Sequence, residues 1–496
     1  MPDPGPVGPV GPVGPSSSTS GPVGGTPERL RGGVLGMADI AAATMANVGP
    51  AMSFFFGFAF LATTAGVASP LTIVAAGVAV ALFGNTLAEF SRAHPSAGSF
   101  TTFVGKTFGP VSAVTTALLA GLGYIIAMAS VIAISGGFMQ ITLHHYTGVD
   151  LPWIVWTLLL TGLAVVLMLR GIVVSTKWAG YFFGVEMLVL VVVSVAAIVE
   201  HRGDLSVAPF LPSHLTHGIK GLAAGFPLAV YLFIGWENSA ALAEETENPR
   251  RNVGRAVFSS VAIMTVSYIL FSYATVTGFG YDVRRLGDSP IPFIDVAQHT
   301  LGALAILAYV GGLTSTLGVL IAGINSQARL VFNAGREGLL PSFFGYVHPT
   351  RRTPNNAIVT FTATALLIIA GWGLGHVLGD GGQMNPVVFF AESSSLGAIL
   401  ILLVYLASNI ALPLYYRRYR PQEFRILRHL VLPAIGALAV LVPLYYLAKP
   451  GQPAPYSWFP YAAAATLLAA VCYATLLVRR DPGLADRVGS VVADAE

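Results

Sequence analysis

Charged residues are scarce in this chain, making up 10% of its 496 residues against 54% hydrophobic ones. A water-soluble domain usually carries about 25% charged residues, so the composition excludes an ordinary soluble protein. The net charge is only +3, which gives no support to nucleic-acid binding. The single cysteine, Cys472, lies in the last apolar run, so we expect neither an intramolecular disulfide nor a disulfide-linked partner subunit.

Long apolar runs dominate the sequence instead. A helix needs roughly 20 apolar residues to cross a bilayer, and runs of about this length recur along the chain. Their ends lie near 35–62, 66–90, 111–143, 153–170, 178–199, 219–243, 256–279, 301–331, 357–378, 387–412, 430–447 and 459–478. The pattern predicts an all-α integral membrane protein with twelve transmembrane helices that lies in the lipid bilayer.

The connections between these runs are strongly asymmetric in charge. An even number of crossings puts both termini on one side, and 21 of the 26 Lys and Arg residues lie on that side. The positive-inside rule then predicts a multi-pass protein of the cytoplasmic (inner) membrane with both termini in the cytosol. We interpret residues 1–33, rich in repeated Gly-Pro-Val, as a disordered cytosolic tail and residues 480–496 as a second cytosolic tail.

Two of the predicted helices contain an interruption. The first contains Gly49 followed by Pro50, and proline removes a backbone donor and clashes with the preceding turn. The sixth contains Gly235 in the run Phe-Ile-Gly-Trp, where glycine permits unwinding. The breaks favour an inverted repeat of two five-helix groups, 34–200 and 214–415, with helices 11 and 12 at 428–479. The alternative is a pair of ordinary kinks.

Three segments resemble sequence motifs of the amino acid–polyamine–organocation superfamily of permeases. The exit of the second span, PSAGSF at 95–100 and FGP at 108–110, is similar to a Pro-x-x-Gly-Gly-x-Tyr…Phe-Gly signature. The sixth span and its exit, residues 233–251, also match the family. The eighth span ends in NSQAR at 325–329 and REGLLP at 336–341, similar to the family's Ser-Arg…Arg-Asp-Gly-x-x-Pro run.

The resemblance implies the leucine-transporter fold and a secondary active transporter of amino acids or related amines that works by alternating access. Two departures stand out. Many members carry Gly-Ser-Gly at the first break, where this chain has Val48 to Ala51. Some members carry a lysine in the middle of span five, near the site that holds sodium in relatives, and Glu186 stands at the matching position here.

The first break predicts one half of a substrate site. If Pro50 starts a new half-helix, the amides that follow attract an anion such as a substrate carboxylate. Carbonyls at the end of the preceding half-helix suit an ammonium group. The predicted binding residues of this break are Met45, Ala46, Asn47, Val48, Gly49, Ala51, Met52 and Ser53. The alternative is a proline kink buried against protein.

The second break predicts the complementary half, with binding residues Tyr231, Phe233, Ile234, Gly235 and Glu237. Carbonyls freed by unwinding must find partners where no water reaches, and a protonated amine supplies them. The two aromatic side chains would close over the ligand, or contact an amine by cation–π attraction, with plain packing as the alternative. Glu237 has three interpretations: binding a cationic substrate, carrying a coupled proton, or holding the unwound backbone open.

A second intramembrane carboxylate, Glu186, is the candidate for proton coupling, because such a group is costly in lipid and faces the bundle interior. The alternative is a protonated structural glutamate. Proton symport is the preferred mode, ahead of substrate exchange and sodium symport, and a non-transporting nutrient sensor is the runner-up. No G-x-x-x-x-G-K-[ST] loop occurs, so an ion or substrate gradient must drive transport. We expect no cofactor, no metal site and no enzymatic activity.

Overall fold

A computed structural model describes residues 30–379 and 382–488. The predicted tail residues 1–29 and 489–496 lie outside this range. The described chain is helical, with eighteen α-helices connected by turns, short 3-10 segments and a π-helical segment, Leu427–Val431. The helices are α1 Met37–Val48, α2 Pro50–Ala65, α3 Ser69–Ala93, α4 Phe100–Phe108, α5 Pro110–Thr147, α6 Trp153–Leu169, α7 Ile172–Glu200, α8 Ile219–Tyr231, α9 Asn238–Ala241, α10 Pro249–Gly278, α11 Val283–Asp288, α12 Pro292–Leu301, α13 Ile306–Arg336, α14 Asn355–Gly379, α15 Pro386–Tyr419, α16 Leu432–Ala448, α17 Phe459–Arg480 and α18 Leu484–Arg487.

Within the described residues, ten helical segments are long and apolar enough to cross a membrane. One of them, Met37–Ala65, contains α1 and α2 on either side of the first break. Two further apolar helices, Trp153–Leu169 and Ile219–Tyr231, are shorter and coincide with the fourth and sixth predicted spans. The structure therefore bears out an all-helical membrane architecture, whereas the count of twelve crossings stays a prediction.

Proline and glycine set many of the helix boundaries. Pro50, Pro110 and Pro249 each begin a helix, where their missing amide hydrogen costs nothing. In the Gly-Pro pairs at 49–50 and 109–110, the glycine ends one helix and the proline starts the next. The predicted fifth span began at residue 178, but α7 begins at Ile172, because a chain reversal at Gly171 with φ 119° separates it from α6.

The broken helices lie at the centre of the bundle. Helix α1 packs against α7, α10 and α13, and α2 packs against α8. Helices α5 and α15 form one long contact, and α3 and α10 form another. Helices α16 and α17 are peripheral, with only 22% and 17% of their apolar windows buried in the protein. Such wide apolar exposure is typical of helices that face lipid.

Both ends of the described chain meet on one side of the bundle, which we call the termini side. The Leu30 amide donates to Glu244 Oε1 at 2.7 Å, and Glu244 also pairs with Arg336. At the other end of the chain, Arg487 donates to the carbonyl of Glu337 at 3.5 Å. Packing extends into both predicted tails, since Leu30 is buried in one and Leu484 of α18 in the other.

Candidate functional site

The first helix break lies where the sequence predicts it. Helix α1 ends at Val48, Gly49 is left-handed with φ 60° and ψ 68°, and Pro50 begins α2. The Gly49 amide donates to the carbonyls of both Met45 and Ala46 at 3.2 Å. These two carbonyls were predicted to be open to an ammonium group, but the turn itself already supplies a donor to each.

The amides at the start of α2 are also engaged by the protein. Ala51 N donates to Glu186 Oε1 at 3.4 Å, and Met52 N donates to Ser315 Oγ at 3.2 Å. Ser53 N donates to the Gly49 carbonyl at 2.9 Å, as in a regular helix. In this structure the amides of Ala51 and Met52 therefore donate to protein side chains. The helix start attracts an acceptor, as expected, and side chains from α7 and α13 provide it.

The second break interrupts the chain between α8, which ends at Tyr231, and α9, which starts at Asn238. Gly235 within it has φ 109°, a conformation that only glycine adopts readily. The Leu232 carbonyl accepts from Tyr268 Oη at 2.8 Å, and the Gly235 carbonyl accepts from Asn47 Nδ2 at 3.2 Å. Neighbouring helices thus satisfy part of the unwound backbone, as buried peptide groups require.

The two breaks touch each other directly. A Cβ atom built on Gly235 would lie 2.9 Å from Asn47 Nδ2 and 3.0 Å from the Asn47 carbonyl oxygen. Gly235 is therefore required for close approach as well as for its backbone angle. The Asn47–Gly235 hydrogen bond closes this contact, so the unwound parts of both helices form one continuous unit.

A small cavity of about 40 Å³ lies beside this contact. Both breaks line it. The lining residues are Asn47, Val48, Met52, Ser53, Tyr231 and Ile234 from the breaks, with Ala127, Met128, Val131, Ile134, Val319, Gln327 and Phe390 around them. Seven predicted site residues do not line it: Met45, Ala46, Gly49, Ala51, Phe233, Gly235 and Glu237. Most of these hold the breaks in shape, as the contacts above show.

Sequence reasoning missed Gln327, which lines the cavity from α13. Its side chain is buried, and its Oε1 accepts no hydrogen bond from the described residues. A buried acceptor without a donor is costly, so this oxygen suits a donor placed in the cavity. The residue lies inside the NSQAR motif at 325–329, one of the segments that resemble the permease superfamily.

The two aromatic residues of the second break occupy different places. Tyr231 packs edge-on against Phe390 with ring centroids 5.8 Å apart, and both border the small cavity and a larger one of about 290 Å³ beyond it. The larger cavity opens towards the side opposite the termini, beside Thr63 and Thr64 at the end of α2. Phe233 is fully buried against Tyr268 at 5.3 Å. This is the packing alternative for Phe233, because the unwound turn directs the ring towards α10.

Both carboxylate oxygens of Glu237 accept a hydrogen bond. Tyr124 Oη donates to Oε1 at 2.6 Å, and the Gly235 amide donates to Oε2 at 3.2 Å. This geometry is that of the third interpretation, in which the carboxylate holds the unwound backbone. Tyr124 of α5 was missed by sequence reasoning. Its signal was a lone phenol in the middle of an apolar span, where a polar atom needs a partner.

We expect Tyr124→Phe to destabilise the second break. Removing the phenol leaves Glu237 Oε1 buried without its donor, which costs about 1–3 kcal/mol. Thermal unfolding of the purified protein in detergent should show a lower midpoint, and uptake should be slower. Tyr461→Phe is the control, because Tyr461 is 71% exposed and its variant should match wild type. Equal midpoints for both variants would remove Tyr124 from the support of the break.

Glu186 lies fully buried on α7, facing the start of α2 as described above. Its Oε2 has no hydrogen-bond partner within 30–379 and 382–488. The side chain points into the bundle, as expected for an intramembrane carboxylate. It does not line the cavity, but it contacts a break whose residues do.

Two buried ion pairs close the termini side below the cavity. Arg329 of α13 makes a bidentate pair with Glu245 at 2.6 and 2.9 Å, and Arg336 pairs with Glu244 at 2.6 Å. Burial raises the pKa of Glu245, and the Arg329 guanidinium opposes this effect. Sequence spacing does not predict these partners, because the arginines come from a helix more than 80 residues away.

Residues 39–481 match the family model described as amino acid permease. The chain belongs to the amino acid permease family. The permease is 28% identical to the methylthioribose transporter of Bacillus subtilis over 59% of this chain and 65% of that one. It is 25% identical to the branched-chain amino acid permease BcaP of Bacillus subtilis over 79% and 82% of the two chains. It is 24% identical to the cystine/glutamate transporter of Homo sapiens over 70% and 68%.

Solved structures give the fold of this permease. One neighbour is Mhp1, a nucleobase-cation-symport-1 family transporter, with a TM-score of 0.51, 15% identity, and 93% and 99% of the two chains covered. Another is a mutant of the manganese transporter of Eremococcus coleocola, with a TM-score of 0.56, 11% identity, and 90% and 95% covered. Both have the leucine-transporter fold, so the permease is a multi-pass membrane protein of that general architecture.

Proposed function

We propose that this permease is a secondary active transporter that moves amino acids or related amines by alternating access. The observation that supports the proposal most is the meeting of two helix breaks beside a cavity in the bundle centre. Interrupted helices at corresponding places in two repeats are typical of such transporters. We further propose twelve crossings, two inverted five-helix repeats, a place in the cytoplasmic membrane and cytosolic termini.

The cavity lining offers the polar groups that a small zwitterion needs. Asn47, Ser53 and Tyr231 supply donors and acceptors, and Gln327 Oε1 supplies an acceptor for an ammonium group. The remaining lining is largely apolar, which suits the side chain of a substrate. In this proposal the amides of α2 bind a carboxylate only after Glu186 or Ser315 moves away from them.

The proposed coupling is proton symport through Glu186, with no cofactor and no ATP. When it is ionised, the Glu186 carboxylate accepts a hydrogen bond from the Ala51 amide at the start of α2. Protonation of Glu186 would weaken this hydrogen bond and free the amide. Substrate exchange is the second candidate. The similarity to a cystine/glutamate transporter favours it, because the name of that relative pairs two substrates. We propose that the permease acts in the lipid bilayer on a small molecule, without nucleic acid and without a disulfide-linked subunit.

Reconstituted uptake tests the proposal. Purified permease would first be screened with amino acids, polyamines and ethanolamine for thermal stabilisation in detergent, because stabilisation follows occupancy. Ligands that stabilise are then tested for uptake into proteoliposomes. A transporter accumulates its ligand, whereas a nutrient sensor binds ligand and moves none. Uptake only when unlabelled substrate is trapped inside would identify an exchanger.

We expect Gly235→Ala to abolish most transport. The new Cβ would lie about 3 Å from Asn47 backbone atoms, and φ 109° is strained for alanine by roughly 1–3 kcal/mol. The unwound segments around Asn47 and Gly235 must then move apart. Because this displaces residues that line the cavity, initial uptake should fall at least about tenfold. Gly373→Ala is the matched control, because nothing lies within 4 Å of its Cβ position. Wild-type uptake by Gly235→Ala would contradict the role given to the break contact.

A further inference from the structure

A basic groove lies on the termini side, away from the substrate cavity. It has a volume of about 800 Å³ and runs between the end of α3 and the start of α10. Four arginines line it: Arg92, Arg250, Arg251 and Arg255. The rest of the wall is apolar and consists of Met37, Ala88, Gly254 and Phe258. None of these residues takes part in the site described above.

Two of the four arginines have no carboxylate partner among the described residues. Arg92 forms an ion pair with Glu89 at 3.1 Å, and Arg250 Nη1 donates to the carbonyls of Arg92 and Ala93. Arg251 and Arg255 are exposed and form no ion pair with any residue in 30–379 or 382–488. Arg251 also lies in the first turn of α10, where a cation is unfavourable to the helix dipole. Helix stability therefore does not explain the cluster.

The same helix face continues into an apolar stripe. Arg251, Arg255, Phe258, Ala262 and Val266 follow at spacings of three and four, which places them on one face of α10. Phe258 is 43% exposed and Val266 is 68% exposed. The stripe from Arg255 to Val266 is about 16 Å long at 1.5 Å per residue. A charged end joined to an apolar stripe of this length has the shape and polarity of a phospholipid.

The depth of the groove fits the same ligand. Helix α3 ends at Ala93 and α10 begins at Pro249, so the guanidinium groups lie at the ends of two long apolar helices, where the lipid phosphates of a surrounding bilayer would lie. Helices α3 and α10 pack closely here, since a Cβ on Gly254 would lie 3.1 Å from Ala88 Cβ. A headgroup at the arginines would therefore bind both helices at once.

We propose that this groove binds the phosphate headgroup of an anionic phospholipid, with one acyl chain along the exposed face of α10. Guanidinium groups are well suited to phosphate because they donate two parallel hydrogen bonds. Two arginines without carboxylate partners favour a lipid with net negative charge over a zwitterionic one. The site is separate from the substrate cavity, so it does not depend on which substrate the permease carries.

Native mass spectrometry of the full chain tests the proposal. The protein is mixed with phosphatidylglycerol and phosphatidylcholine of the same acyl chains, and retained lipid is counted. Each arginine near an anionic surface contributes about 1 kcal/mol, or roughly fivefold in binding. The double variant Arg251→Gln/Arg255→Gln should therefore lose about 25-fold in phosphatidylglycerol retention. Wild type should retain phosphatidylglycerol in preference to phosphatidylcholine.

Two comparison variants make the result specific. Arg284→Gln/Arg285→Gln removes the same charge from exposed residues beyond the other end of α10 and should retain lipid like wild type. Arg251→Lys/Arg255→Lys keeps the charge and should retain most of the phosphatidylglycerol, which excludes misfolding as the cause of a loss. Equal retention by wild type and the glutamine double variant would overturn the proposal. So would thermal stabilisation by inorganic phosphate alone, without retention of phosphatidylglycerol, since the groove would then hold a free anion.

Discussion

Glu186→Gln should uncouple transport from the proton gradient. Glutamine keeps the size of the side chain and an oxygen for the Ala51 amide, but it cannot gain or lose a proton. With the membrane potential held at zero, one coupled proton supports about tenfold accumulation per pH unit. Wild-type permease in proteoliposomes with an alkaline interior should approach this value. The variant should equilibrate its substrate without accumulation, whatever the gradient.

A second buried glutamate provides the matched control for this experiment. Glu392 on α15 is buried and accepts from Trp372 Nε1 at 3.0 Å, and it does not line the central cavity. Glu392→Gln should keep gradient-driven accumulation. Accumulation by Glu186→Gln at the wild-type level would exclude Glu186 as the coupling residue, and sodium dependence or substrate exchange would then be tested next.

Arg329→Met should cause the largest loss of stability. Arg329 and Glu245 are both fully buried and joined by two hydrogen bonds. Removing one partner leaves an uncompensated buried charge, which typically costs 3–5 kcal/mol. The unfolding midpoint in detergent should therefore fall by several degrees. Uptake should also fall, because this pair joins the exit of the sixth predicted span to α13 on the termini side.

The control for Arg329 is an ion pair of similar length that is exposed instead of buried. Arg420 pairs with Glu423 at 2.9 Å, but their side chains are 32% and 54% exposed. An exposed pair contributes about 0–1 kcal/mol, so Arg420→Met should shift the midpoint much less. Partial rescue of Arg329→Met by a second change, Glu245→Met, is also expected, because the unpaired carboxylate is then removed. Equal shifts for the Arg329 and Arg420 variants would show that burial of the pair does not matter.

Local chemistry made the first break predictable from the sequence. A Gly-Pro pair inside an apolar run stops a helix whatever surrounds it, and Gly49 does adopt the left-handed conformation. The unwinding at Gly235 was predictable for the same reason. An isolated carboxylate in an apolar run must face the protein interior, so the inward position of Glu186 also followed from the sequence.

Contacts between distant segments were not predictable in this way. The Glu186–Ala51 and Arg329–Glu245 contacts join residues 135 and 84 positions apart, and no spacing rule connects them. Phe233 and Tyr231 are equally aromatic and two residues apart, yet only Tyr231 borders the cavity. Once a helix unwinds, its periodicity no longer tells which way a side chain points. The positions of the two breaks could therefore be predicted, but not which of their side chains face the cavity.

The attachment of Leu30 to Glu244 has a practical consequence. The Leu30 amide is a third hydrogen-bond donor to the Glu244 carboxylate, which already accepts two hydrogen bonds from Arg336. The segment before α1 therefore takes part in this buried ion pair. Shortening the protein beyond residue 30, or fusing a rigid carrier directly to Val34, would remove the Leu30 hydrogen bond and weaken the support of the Glu244–Arg336 pair. Affinity handles are better joined well upstream, where they leave the Leu30 amide in place.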